Sequence, residues 1–183
     1  MKPRVIITGK EFRVTIERLC YELIENHGDF SGTALIGLQP RGTLLLRRIC
    51  RALTDTHGIV NPLTGEIDIT FYRDDFRRRE MPLLPQSTNM NFVVESKRVI
   101  LMDDVLFTGR TVRAGLDALL TFGRPEKVEL LVLIDRRWSR QLPIQPDYTG
   151  KCVDTRVNQK VKVTWKESEG NDGVLLYEDI EGE

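Results

Sequence analysis

Two adjacent carboxylates, Asp103 and Asp104, follow the apolar run Val99-Ile100-Leu101-Met102 and precede Val105-Leu106-Phe107-Thr108-Gly109-Arg110-Thr111. Ligands enter α/β sheets at the carboxyl ends of parallel strands, and two acids there can accept hydrogen bonds from the neighbouring hydroxyls of a ribose. The Thr108-Gly109-Arg110-Thr111 turn leads into a helical pattern and aims backbone N–H groups and hydroxyls at one spot, at the positive end of the helix dipole. That arrangement suits a monophosphate. Carboxylates for a sugar diol beside amides for a phosphate make a ribose-5-phosphate cradle. Taken singly, each part also has a structural reading: Asp103 and Asp104 capping a turn, Thr108 or Thr111 an ordinary helix cap. Other phosphate motifs fail, because Gly32 and Gly37 have Walker-like spacing but Leu38 follows where Lys is required, and no GxGxxG occurs.

The elements that must carry this string are visible around it. Between Lys10 and His27 the apolar residues Phe12, Ile16, Leu19, Cys20, Leu23 and Ile24 form one helical stripe. A buried strand, Thr33 to Leu38, leads through Gln39-Pro40-Arg41-Gly42 to a second helix with Leu45, Ile49, Ala52 and Leu53 on one face. Glu66 to Tyr72 alternates Ile67, Ile69 and Phe71 and reads as a strand. The polar stretch from Arg73 to Ser96, with Arg73, Arg77, Arg78 and Arg79, has the character of a functional loop or lid. After the acid pair a helix carries Val112, Leu116, Leu119 and Leu120 inward and ends at Gly123 and Pro125. Val128 to Ile134 is a near-continuous apolar strand, as a parallel sheet covered on both faces requires. Strand, helix, strand, repeated, predicts an α/β sheet. Beyond Trp138, Lys160 to Trp165 and Gly173 to Tyr177 read as edge strands or a small subdomain.

With 183 residues, 40% apolar and 30% charged, the chain is the size of one globular domain and too hydrophobic for disorder. Cys20, Cys50 and Cys152 are odd in number and far apart, and His27 and His57 sit near no cysteine pair, so neither a disulfide framework nor a zinc site is expected. The start, MKPRVIITGKEF, has too short an apolar stretch for a secretory signal, and a cytoplasmic chain is expected. The 27 Lys and Arg balance 27 Asp and Glu, yet residues 166–183 hold one Lys and seven acids, leaving a basic body of net +6. Such a body suits phosphate-rich ligands or nucleic acid.

The hydrophobic strand, acid pair and TGxT loop resemble the signature of the type I phosphoribosyltransferases. The likeness extends to Gly37-Leu38-Gln39-Pro40-Arg41-Gly42, to Gly65 through Asp75, to Arg113 through Leu119, and to Gly123-Arg124-Pro125, Leu133-Ile134-Asp135-Arg136 and Leu142 through Lys151. Together these blocks resemble the bifunctional pyrimidine operon attenuator and uracil phosphoribosyltransferase family over nearly the whole chain. The resemblance implies an α/β fold of the type I phosphoribosyltransferase kind: a central, mostly parallel sheet flanked by helices, a flexible loop and a small hood. It implies a single domain over 1–183, with a core at about 30–137, a hood from 1–10 and 138–183, and a loop at 73–96.

The implied reaction is uracil plus 5-phosphoribosyl diphosphate (PRPP) giving UMP and pyrophosphate, with Mg²⁺ carried on the diphosphate. Asp103 and Asp104 would hold the ribose hydroxyls, Val105, Leu106, Phe107, Thr108, Gly109, Arg110 and Thr111 the 5′-phosphate, and Pro40-Arg41-Gly42 the pyrophosphate. Arg73 joins the acid pair as a catalytic candidate, closing with its loop over the pyrophosphate. Arg136 and the backbone at Val161 would line the uracil pocket. In the superfamily the pyrophosphate turn often carries a cis peptide, and Pro40–Arg41 is the candidate. Regulatory members bind a hairpin in the leader mRNA of pyrimidine genes, sense UMP and form dimers or higher homo-oligomers, and Arg18 and Lys151 are the implied RNA contacts. At neighbouring positions this chain has Glu17, Tyr21, Asn26 and Pro40 where the regulators have Thr, His, a basic residue and Thr. Arg137-Trp138-Ser139-Arg140 replaces a Gly-His-Arg one residue shorter. Two alternatives stand beside this reading: an RNA-binding regulator with little enzymatic activity, and a transferase for another base, such as hypoxanthine or orotate, because the PRPP site is shared across the superfamily.

Overall fold

The computed structural model describes residues 3–72, 87–156 and 158–178. Five parallel strands form the main sheet in the order β3-β2-β4-β5-β6, where β2 is Thr33–Leu38, β3 Leu63–Ile67, β4 Arg98–Leu106, β5 Lys127–Arg137 and β6 Tyr148–Asp154. β2 and the centre of β4 are buried throughout, as the unbroken apolar runs predict. Helices α1 (Gly9–His27) and α2 (Gly42–Asp55) bury Phe12, Ile16, Leu19, Leu23, Leu45, Ile49 and Leu53 in one cluster on one face. Helix α3 (Arg110–Leu119) joins a separate cluster with Leu38, Val99, Leu101 and Val132.

A second, antiparallel sheet of order β1-β8-β7 is built from β1 (Arg4–Ile7), β7 (Gln159–Thr164) and β8 (Gly173–Glu178). The short helix α4 (Lys166–Glu169) joins β7 to β8. This sheet shares the α1–α2 cluster: Ile7, Val161, Val163, Trp165 and Val174 lie in it, and the Trp165 ring meets Phe12 edge-on at 5.2 Å. Arg48 of α2 ties the same region down through Glu167, at 2.7 and 2.8 Å, and Asp172, at 3.1 and 2.8 Å. The entry to α1 is fixed by a capping box between Thr8 and Glu11. Its exit is fixed by His27, whose buried ring meets Thr33, Tyr148 and Glu129 at 3.0–3.2 Å. Burial pulls the His27 pKa below its ordinary value, outweighing the opposing pull of Glu129.

Several expectations are corrected. The strand expected over Glu66 to Tyr72 instead runs Leu63–Ile67, and a 3₁₀ turn occupies Thr70–Tyr72. The Asp68 carboxylate accepts the Thr70 backbone N–H at 2.9 Å and its hydroxyl at 2.6 Å, so a local turn outcompetes the alternating pattern. Leu120, expected inward, is exposed because α3 stops at Leu119 and tightens into a 3₁₀ turn. The core sheet also passes the boundary expected near residue 137, since β6 pairs in parallel with β5 as far as Asp154. Within the stretch expected as a lid, residues 73–86, including Arg73, Arg77, Arg78 and Arg79, lie outside the described residues. Asn89 pairs with Glu66 in an isolated bridge.

Candidate active site

The chain leaves β2 through α2 towards β3 on one side and leaves β4 through α3 towards β5 on the other. The direction of winding therefore reverses between β2 and β4, and a crevice opens at their carboxyl ends. Both sequence-derived turns, Gln39–Gly42 after β2 and Phe107–Gly109 after β4, meet there. The first turn lies so close to β4 that a Cβ on Gly42 would stand 2.2 Å from the Met102 carbonyl oxygen, so only glycine fits. The cis peptide in the first turn is Gln39–Pro40, not Pro40–Arg41. Cis geometry costs far less at a bond preceding proline than at one following it.

Asp103 and Asp104, expected just past the end of the apolar strand, belong to β4 and are both 7% exposed. Asp103 Oδ1 accepts the Asp104 backbone N–H at 2.9 Å, which fixes the pair against each other. Asp104 Oδ2 accepts from Arg41 Nε at 2.7 Å. Burial pushes the Asp104 carboxyl above its ordinary range, and the hydrogen bond and charge of Arg41 oppose the rise. Arg41 also donates through Nη2 to the Val163 carbonyl of β7 and faces Glu169 Oε1 at 3.5 Å through Nη1. One guanidinium thus spans β4, β7 and α4.

The second turn has the features of an anion cradle. Leu106 is buried and offers only its backbone, while Phe107 is half-exposed. Gly109 has φ +90°, a left-handed conformation that presents the first turn of α3 without any side-chain cap. The Arg110 N–H makes only a long hydrogen bond to Thr108 Oγ1, at 3.4 Å, and the positive end of α3 points at the turn, as an anion site requires. The far side of the turn is pinned. Thr108 carbonyl oxygen accepts the Gln141 and Leu142 N–H groups at 3.0 and 3.2 Å, and Arg110 Nε donates to Gln141 Oε1 at 2.7 Å. Arg140 donates to the Phe107 and Ile144 carbonyls at 2.5 and 3.0 Å and pairs with Asp135. Arg140 was not among the site candidates, because its role depends on contacts with Phe107, more than thirty residues earlier in the chain.

A cleft of about 620 Å³ lies beside Asp104 and Val105, walled by Arg41 on one side and by β7 and Tyr177 on the other. β7 is an edge strand, and residues of one parity point their backbone groups off the free edge. Two contacts establish which parity: Arg136 Nη2 donates to the Gln159 carbonyl at 2.8 Å, and Arg41 Nη2 to the Val163 carbonyl. Val161 lies midway, so its N–H and C=O face the same way, between the two arginines. Arg136 is 5% exposed, stacks on the Phe107 ring at 3.9 Å and donates to Thr155 Oγ1 at 3.2 Å. The side chain of Val161 itself packs into the core cluster.

The candidates divide into three groups. Pro40, Arg41 and Gly42, the Asp103–Thr111 string, Arg136 and Val161 converge at the crevice. Arg18 and Lys151 lie elsewhere, on the side of α1 and β6: Arg18 pairs with Glu22 through Nη1 and donates through Nη2 to the Thr149 and Gly150 carbonyls at 2.9 and 2.6 Å, and Lys151 Nζ donates to the Ile6 carbonyl at 3.0 Å. Arg73 lies outside the described residues. Among the described residues no cluster of three or more His, Cys, Asp or Glu side chains could hold a metal ion.

The family description "Phosphoribosyl transferase domain" matches residues 6–168. The chain is 44% identical over 171 residues to the Bifunctional protein PyrR of Desulfosudis oleivorans, covering 93% of this chain and 94% of that protein. It is 45% identical over 178 residues to the Bifunctional protein PyrR of Microcystis aeruginosa, covering 96% and 99%. The chain belongs to the phosphoribosyl transferase family, on its PyrR branch. The fold of this PyrR-family chain is also that of a hypoxanthine phosphoribosyltransferase from Staphylococcus aureus, with a TM-score of 0.71 at 16% identity over 98% of this chain and 94% of that one. At that identity the likeness speaks for the fold alone. Among the described residues of this PyrR-family chain no helix is long and apolar enough to cross a membrane.

Proposed function

We propose that the chain is a uracil phosphoribosyltransferase, converting uracil and PRPP to UMP and pyrophosphate, and a UMP-responsive regulator of pyrimidine genes that acts on leader RNA in the cytoplasm. The observation that carries the catalytic part is the open N–H and C=O of Val161 on the β7 edge, facing the cleft that Arg41, Asp104 and Val105 line. A main-chain donor and acceptor side by side match the N3–H and an adjacent carbonyl of uracil. Arg136 and Arg41 flank that edge and supply positive charge near the pyrimidine oxygens.

Each group then has a physical task. Asp103 and Asp104 accept the ribose hydroxyls, and the Val105–Thr111 segment, at the positive end of α3, receives the 5′-phosphate. Pro40, Arg41 and Gly42 receive the pyrophosphate, Arg41 as a bidentate guanidinium. Breaking the bond from C1′ to pyrophosphate builds positive charge on the ribose and negative charge on the leaving group. The protein needs no nucleophile; it positions the two substrates and meets the developing charges with fixed groups. The buried Asp103–Asp104 pair offers hard carboxylate oxygens, which suit a Mg²⁺ ion carried in on the diphosphate. When bound, that ion neutralises charge on the leaving group.

Nucleotide formation from Mg²⁺ and PRPP, with uracil beside hypoxanthine, guanine and orotate in one chromatographic assay, tests the reading. UMP alone is the expected product. A different nucleotide moves the chain to a sister activity, and PRPP binding without product leaves a regulator with little catalysis.

The regulatory part is favoured by the grouping of Arg18 with the Thr149–Lys151 segment, which sets two cations on one open face of α1 and β6. Leader RNA of pyrimidine genes is expected to bind with a salt-dependent affinity, and Arg18→Gln together with Lys151→Gln to weaken it and to shallow the salt slope by about two phosphate contacts. Absence of binding at low salt in a mobility-shift titration overturns this part while leaving the transferase intact. A homodimer or larger homo-oligomer is the assembly this reading carries.

A further inference from the structure

We infer that Glu169 is a positioning residue that holds the Arg41 guanidinium where the substrate diphosphate must take it over, so that ligand entry exchanges one anion for another on the same cation. The inference rests on the phosphoribosyl reading of the crevice and deepens it. Arg41 uses its donors in three directions: Nε to Asp104 at 2.7 Å, Nη2 to the Val163 carbonyl, and Nη1 towards Glu169 at 3.5 Å. The first two partners are buried groups of β4 and β7. The third is the longest contact and lies on the most exposed partner. It is the one an incoming anion displaces most readily.

Glu169 is itself built to stay in place and ionised. Its Oε2 accepts the Trp165 backbone N–H at 3.0 Å and a hydrogen bond from the Ser168 hydroxyl. The Ser168 and Trp165 hydrogen bonds hold its carboxyl below the usual range. The carboxylate thus closes the short α4 turn on one side and meets Arg41 on the other. A diphosphate presents more charge and a better match to the guanidinium fork than one carboxylate oxygen at 3.5 Å. While Glu169 holds the guanidinium, only a fraction of molecules offers Arg41 to the ligand, and the apparent affinity falls by that fraction.

Glu169→Gln removes the charge but keeps an oxygen for the Trp165 N–H. The test is a calorimetric titration with inorganic pyrophosphate and Mg²⁺, then with PRPP and Mg²⁺, on wild type, Glu169→Gln and Glu169→Ala. Both variants are expected to bind about two- to five-fold more tightly than wild type, the range of a partly exposed ion pair. In turnover, the KM for PRPP falls while kcat does not rise. Glu169→Asp, which keeps the charge, retains wild-type affinity. A purely structural role for Glu169 predicts weaker binding in step with lost thermal stability. Wild-type binding with unchanged or weaker binding in both charge-free variants overturns the inference. No binding by wild type overturns instead the reading of the crevice on which it rests.

Discussion

Changing Asp103 to Asn and Asp104 to Ala together lowers PRPP affinity by about 100-fold or more, the equivalent of two charge-assisted hydrogen bonds of roughly 1.5 kcal/mol each. Neither side chain is replaceable by solvent, since both residues are 7% exposed at the end of β4. The effect on stability is smaller. Removing one partner of a fully buried ion pair costs about 3–5 kcal/mol. Here the partner left behind, Arg41, has a side chain 36% exposed and keeps Val163 and Glu169. A loss of about 1–2 kcal/mol is expected on that account. Calorimetry with PRPP and Mg²⁺ beside thermal unfolding separates the two effects. A double variant that unfolds near the wild-type temperature yet binds PRPP normally would place the ribose elsewhere.

Gly42→Ala gives the second large effect, and here stability and binding fall together. The new methyl carbon would lie 2.2 Å from the Met102 carbonyl oxygen and 3.1 Å from its carbon, so the turn and β4 must separate. Both sides of the clash are backbone, which cannot rotate away as a side chain would. Overpacking of this kind costs about 2–3 kcal/mol, or roughly 5–10 °C in Tm for a chain of this size. The displaced turn also carries Arg41 away from Asp104, so the affinity for pyrophosphate is expected to drop at least tenfold. Unchanged pyrophosphate affinity in a folded Gly42→Ala protein would show that the turn does not receive the diphosphate.

The acid pair and the TGRT turn were legible because they are contiguous: strand, carboxylates, turn and helix follow one another from Val99 to Leu119, and local chemistry dictates each junction. α1, β2 and α2 were legible for the same reason, through unbroken apolar periodicity. What the sequence hides depends on contacts between distant segments. The run from Glu66 to Tyr72 alternates well enough for a strand, and only the Asp68 carboxylate turning onto Thr70 ends it at Ile67. β6 has mixed burial along its length, because one side packs under α1 while several residues face solvent, and so shows no clean period. The contacts of Arg41 with Val163 and Glu169 cross more than 120 residues, and those of Arg140 with Phe107 cross more than thirty. No spacing rule reaches that far.

The edge of β7 has an evolutionary corollary. On the proposed reading the base meets the peptide groups of Val161, while the Val161 side chain turns into the core. A main-chain template cannot be rewritten by a codon change at its own position. Substitutions at Val161 would be filtered for packing and would leave the choice of base untouched. A selection for altered base preference should return changes among the surrounding walls, such as Arg136, Lys160 and Tyr177, and almost none at the residue nearest the base.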